Sequence, residues 1–234
     1  MATTVARTNG SKKSAVQEVV ERAATGATQS TTPVIEIARI PEETVRVPIV
    51  GTSPLIVHRF SEKAKRQMLD AMQGKKSPKT AKDPEAEFQA AAYRLEGDRY
   101  GLPSAAFKQA TVGAARFYGK DVTMTALKQF IFVRGEFGSD GRALVVIEGD
   151  APHMREDPVK LGRSGSDLRY RPEFWPWHAS LDVSFFPSVI TRDSVLSLID
   201  AGGLAVGVGE WRPEKDGEFG TYRIDPDRVV EVIS

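Results

Sequence analysis

Nine residues, Trp177 to Phe185, alternate without a break: Trp177, Ala179, Leu181, Val183 and Phe185 are apolar, while His178, Ser180, Asp182 and Ser184 are polar. Successive side chains of a strand point to opposite faces, so a period of two predicts a strand with one face in a core. Such a strand needs a neighbour patterned the same way. Glu43–Gly51 is the candidate, because Val45, Val47, Ile49 and Gly51 recur at the same period. Pro48 lies inside it, and a residue with no N–H predicts one-sided or bulged pairing there.

Helical patterns separate the strands. Ser61 is placed to cap a helix reaching about Met72, with Ala64, Met68, Leu69 and Met72 directed inward. A second helical stretch over Glu85–Arg94 completes a helical insertion at 61–94, and Lys75, Lys76, Lys79 and Lys82 lie in the loop between the two. Gly101-Leu102-Pro103-Ser104 breaks the chain and opens a helix through Phe117. Its buried face is Phe107, Ala110, Ala114 and Phe117, with Lys108 and Arg116 off that face. Two β-rich runs follow, Thr125–Arg134 and Ala143–Glu148, with a hairpin signal at Gly138–Gly141. Arg192–Ala201 reads as a short helix stopped by Gly202. Glycine-rich sequence then leads to Trp211, a strand at Gly220–Ile224 and a last apolar segment at Val229–Ile233.

Two stretches lack a period. Residues 1–33, rich in Ala, Thr, Ser and Gly, predict a flexible tail with at most a short helix around Ala15–Ala23, leaving one domain over 34–234. Gly149–Pro176 is too long to be filler in a packed domain and predicts a functional or mobile segment.

Composition removes whole classes. There is no cysteine, so disulfides and cysteine-ligated zinc are excluded, and the histidines at 58, 153 and 178 have no ligand spacing. No metal or cofactor is expected. No apolar run of about 18 residues exists to span a membrane, and the N-terminal stretch has no apolar core of a secretory signal. The expected location is cytoplasmic. A net charge of +1 means that any surface for a polyanion is local and balanced by acid elsewhere. No phosphate loop or dinucleotide fingerprint occurs. His58, beside Arg59 and Lys63, is the one candidate for metal-independent ribonuclease chemistry, with a plain surface histidine as the simpler reading.

The order of elements reduces to βαββαβ, an α+β, ferredoxin-like (RRM-like) core with insertions. Leu102-Pro-Ser-Ala-Ala-Phe-Lys108-Gln-Ala-Thr-Val-Gly-Ala-Ala-Arg116 resembles the helix start of the RAMP superfamily, the repeat-associated backbone proteins of CRISPR effector complexes. Gly202-Gly203-Leu-Ala-Val-Gly207-Val-Gly209-Glu-Trp-Arg212 is similar to that superfamily's glycine-rich loop, and Gly51-Thr-Ser-Pro54-Leu55 to the end of its first strand. Ala105 and Gln109 stand where the family often has Ser and Gly. The chain also looks like bacteriophage-encoded proteins, which would place it in the host cytoplasm.

The resemblance implies a non-enzymatic subunit that binds single-stranded RNA or DNA, RNA in preference. It also implies assembly along the strand as a homo-oligomer or filament, with other ribonucleoprotein subunits as further partners. It implies phosphate contact by Lys108 and Arg116 and close backbone approach at Gly207 and Gly209, with Arg212 and the His58–Arg59 pair nearby. Gly149–Pro176 would be a thumb, with Lys160, Arg163, Arg169 and Arg171 on phosphates and Tyr170 as a stacking platform. A structural or protein-interaction component of a virus particle is the main alternative.

Overall fold

The computed structural model of the protein describes residues 36–75, 81–120, 122–161 and 165–234. Contacts divide the chain into Met1–Arg39 and Ile40–Ser234, and the fold described is that of the second unit. The expected tail and its helix at Ala15–Ala23 lie outside the described residues.

In chain order the elements are β1 (Glu43–Gly51), β2 (Leu55–Ile56), α1 (Glu62–Met72), α2 (Pro84–Ala91), β3 (Tyr93–Arg94), β4 (Tyr100–Pro103) and α3 (Ser104–Gly113). Then follow α4 (Met124–Phe130), β5 (Ile131–Val133), β6 (Glu136–Phe137), β7 (Ala143–Gly149), β8 (His153–Leu161), β9 (Gly165–Phe174) and β10 (Trp177–Phe185). The last three are α5 (Arg192–Ala205), β11 (Tyr222–Ile224) and β12 (Glu231–Val232). The result is a mixed α+β fold on a mostly antiparallel sheet. Its main path runs β11-β1-β10-β7-β4-β3, with β12 also on β1, β5 also on β10 and β6 on β7. A second sheet, β2-β9-β8, is built on the arm.

The two strands read from period two form the centre. In their register Val45 faces Val183, Val47 faces Leu181 and Ile49 faces Ala179, and all six are fully buried. At ~1.5–3 kcal/mol for each large apolar side chain removed from water, this row is a main source of stability. On the opposite face Arg46 donates to both oxygens of Asp182, at 2.7 and 2.8 Å. Pro48 behaves as its chemistry requires. Thr44 and Thr52 direct their backbone bonds away from β10, and the Pro48 carbonyl likewise accepts from Asp225 N at 2.9 Å. The missing N–H therefore falls in the gap between β12, which pairs at Val45 and Arg46, and β11, which begins at Ile49.

Several expectations need correction. The run Thr125–Arg134 is not all strand: Thr123 accepts from Ala126 N at 3.2 Å and caps α4, which leaves only Ile131–Val133 extended. The second insertion helix ends at Ala91, and Tyr93–Arg94 pairs as a strand with β4. Gly202 does not stop its helix. α5 runs on to Ala205 because Gly202 and Gly203 are packing positions: a Cβ on Gly202 would meet the Ala110 carbonyl of α3 at 2.6 Å, and one on Gly203 would strike Tyr222. Phe117, expected inside, is exposed, and so are Met68, Leu69 and Met72 of α1. Ser61 does cap α1, accepting from Ala64 N at 3.2 Å. The aperiodic stretch is a long hairpin, β8 paired with β9 from His153–Glu173 to Leu161–Gly165.

Candidate functional site

Four segments meet at the base of this arm. The turn after β1 holds the first: Ser53 Oγ accepts from Thr221 N at 3.0 Å, and the Pro54 carbonyl accepts from Gly220 N at 2.8 Å. The glycine-rich segment after α5 is the second. Val208 N donates to Gly220 O and Glu210 N to Ile56 O, both at 2.9 Å, so the segment is stitched to β2 and to the return strand. Gly207 and Gly209 have φ of +68° and +77°. A Cβ on Gly209 would lie 2.5 Å from the Ile56 carbonyl, and Val206 and Val208 beside them are buried. Gly209 lets backbone pack on the Ile56 backbone, and Gly207 makes room for the Pro213 ring, whose Cδ would lie 2.8 Å from an added Cβ.

The arm supplies the third segment, and here its arginines are neutralised. Arg171 is 1% exposed and donates to Asp157 at 2.7 Å and to Glu210 at 3.4 Å. Arg155 donates to Asp157 at 2.9 Å and to Glu173 at 2.7 Å. Trp211, the fourth contributor, has a left-handed backbone at φ +50°, a conformation that costs a bulky residue ~1–3 kcal/mol. That geometry lays its ring over the Arg171 guanidinium at 4.4 Å, with Arg155 at 5.4 Å and Phe219 tilted beside it at 5.9 Å. Cation–π contacts in so dry a setting stabilise the cluster further. The Arg171 Nε is buried with no hydrogen-bond partner among the described residues.

His58 is half-buried at the edge of this cluster. Burial holds its pKa below the ordinary value and Arg169 and Arg171 act in the same direction, against an opposing pull from Glu210. Arg59 pairs with Asp140 at 3.4 Å, and the side chain of Lys63 is outside the described residues. Arg212 donates to Glu214 at 2.9 Å and to the Gly209 carbonyl at 3.2 Å, and Arg116 reaches the same Glu214 at 3.4 Å. Tyr170 is half-buried and bonds Glu156; burial first, and then the negative charge and hydrogen bond of Glu156, raise its pKa.

The structure thus gathers His58, Arg116, Arg169, Arg171, Gly207, Gly209 and Arg212 into one neighbourhood. It supplies most of their charges with internal partners. Lys108 stands apart: its Nζ donates to the Lys128 carbonyl at 2.8 Å, at the end of α4, and sits 4.5 Å over the Phe132 ring. Burial lowers its pKa. In this position it caps α4. Lys160 is exposed near the far end of the arm, Arg169 is half-buried, and Arg163 lies outside the described residues.

Sequence reading missed the acids Asp157, Glu173, Glu210 and Glu214. The signal was available, because Gly149–Pro176 holds five basic residues and five acidic ones. Among the described residues no group of His, Asp and Glu could hold a metal ion, and no helix is long and apolar enough to cross a membrane.

No family model matches the chain, and no curated protein matches it. Among solved structures it is similar to Cmr6 from Pyrococcus furiosus, at 8% identity and a TM-score of 0.39, over 80% of this chain and 100% of that one. A likeness so distant carries no argument about function.

Proposed function

We propose that the chain is a non-enzymatic subunit that binds single-stranded nucleic acid, RNA in preference to DNA, and associates with further copies along the strand. The observation that carries this reading is the order of the central strands, β11-β1-β10 with β5 and β7 beyond. In that order α3 lies between β1 and β5 in the chain, and α5 between β10 and β11. We read this order as the ferredoxin-like βαββαβ plan, which RNA-recognition domains share. The step from plan to function is one of analogy. The sequence resemblance to the RAMP superfamily at Leu102–Arg116 and Gly202–Arg212 supports it, and so do the arm cations Lys160 and Arg169, which form no ion pair with a carboxylate among the described residues.

The test is fluorescence anisotropy with labelled single strands of increasing length and a duplex control. The reading expects affinity to rise with length for single strands only. Equal binding to duplex, or none to either, overturns it.

A second reading, a structural or protein-interaction component, is favoured by one observation. Met68, Leu69 and Met72 stand exposed on one side of α1. A contiguous exposed apolar patch marks partner contacts. A protein partner co-purifying without nucleic acid would favour it.

A further inference from the structure

The charge of this chain is unevenly placed. Residues 59–82 hold eight Lys and Arg against two acids, a local +6 in a chain of net +1, which leaves −5 for the rest. The arm, with its five against five, contributes nothing to that excess.

Arg59 and Lys82, at the ends of this segment, pair with Asp140 and Asp167, and the helix between them is little packed. Among the described residues α1 makes no extensive contact with any other element. Its Met68, Leu69 and Met72 are 50%, 53% and 81% exposed, and Phe60 just before it is 47% exposed. Arg66 and Lys75 are exposed and form no ion pair with another described residue. Among the described residues Lys65 pairs only with Glu62 on its own helix, at 2.5 Å, a surface pair worth little. At 3.6 residues per turn Lys65 falls within the Met68–Met72 side of the helix, and Arg66 falls nearly opposite Met68. The cations therefore surround the helix. A helix built to lie in a lipid surface keeps its apolar face free of charge, so a flexible polyanion is the better match.

We infer that α1 and the turn after it are the principal contact for the phosphodiester backbone of a single strand. Lys65, Arg66 and Lys75 meet phosphates, and Phe60, Met68, Leu69 and Met72 lie against bases. The inference rests on the strand-binding reading above and relocates its site from the glycine turn and arm to the helical insertion.

The experiment compares the full chain with Lys65→Glu/Arg66→Glu/Lys75→Glu and with Lys160→Ala/Arg169→Ala. Binding to a labelled homopolymeric RNA is measured at several salt concentrations, with anionic phospholipid vesicles as a second probe. The insertion variant is expected to keep its melting temperature, to lose at least ~10-fold in affinity, and to show a log–log salt slope shallower by ~2 for three lost contacts. The arm variant is expected to change several-fold less. If the insertion variant binds like the parent, the inference fails while the strand-binding reading stands. If the parent binds no strand, both fail. Vesicle binding that RNA does not displace assigns the segment to lipid and overturns the inference. Should the triple variant unfold, Arg66→Gln/Lys75→Gln, expected to lose several-fold in affinity, takes its place.

Discussion

Arg171 of β9 and Asp157 of β8 form an ion pair at 2.7 Å with side chains only 1% and 6% exposed. They are diagonal neighbours, since Asp157 stands directly opposite Arg169 in the register. The pair joins the arm to the glycine-rich segment, because Arg171 also reaches Glu210. Arg171 is therefore a structural residue of the arm's root.

Arg171→Met leaves Asp157 with Arg155 as its remaining cation and Glu210 without its buried partner, and is expected to cost less than the ~3–5 kcal/mol of a fully stranded buried charge. Arg171→Met with Asp157→Leu is expected to cost clearly less than the two single changes summed. Urea denaturation of the three variants checks this, and additive losses would contradict the coupling.

Two glycines with the same backbone sign separate strain from packing. Gly74 has φ +70°, and a Cβ added to it would meet nothing within 4 Å among the described residues, so Gly74→Ala should cost only the left-handed penalty of ~1–2 kcal/mol. Gly209→Ala adds a contact at 2.5 Å with the Ile56 carbonyl and should cost distinctly more. Equal shifts in melting temperature would mean that the turn can open.

His58 gives the unit a pH dependence with a definite sign. Its pKa is lowered, first by burial and then by Arg169 and Arg171, so the unfolded chain takes up its proton first. The stability this contributes is complete above the unfolded value of ~6.5 and is lost as pH falls through the lower folded value. His58→Gln should lose less stability than the parent between neutral and mildly acidic pH. An identical loss in both proteins would remove His58 as the cause.

The unit is expected to bind without cutting. Labelled RNA incubated with the protein in chelator should remain intact on a denaturing gel. Cleavage that disappears in His58→Ala would instead make His58 a general base.

What the sequence revealed depended on whether one physical signal acted alone. β1 and β10 were readable because each has one buried face, and a period of two survives intact there. α1 is readable from its cap at Ser61, but its apolar stripe predicts an inward face where Met68, Leu69 and Met72 in fact face solvent; periodicity reports a face and not what covers it. α4 was obscured because Phe130, Ile131, Phe132 and Val133 bias the whole run toward strand, although Thr123 was a valid cap. Gly202 carries the same letter whether it ends a helix or lets another helix approach, and only the position of Ala110 separates the two. At the candidate site the glycines and arginines were visible as types. Arg212 with Glu214 and Arg155 with Asp157 are pairs two residues apart, but the pairings of Arg171 with Glu210, Arg116 with Glu214 and Arg155 with Glu173 span 39, 98 and 18 residues, which no local pattern encodes.

The most direct measurement is the salt dependence of binding between the purified chain and a labelled single strand. Phosphate contacts release counterions, so the account predicts that affinity falls steeply and linearly on a log–log plot as salt rises. Affinity that stays constant from low to moderate salt, or no binding at low salt, would contradict it.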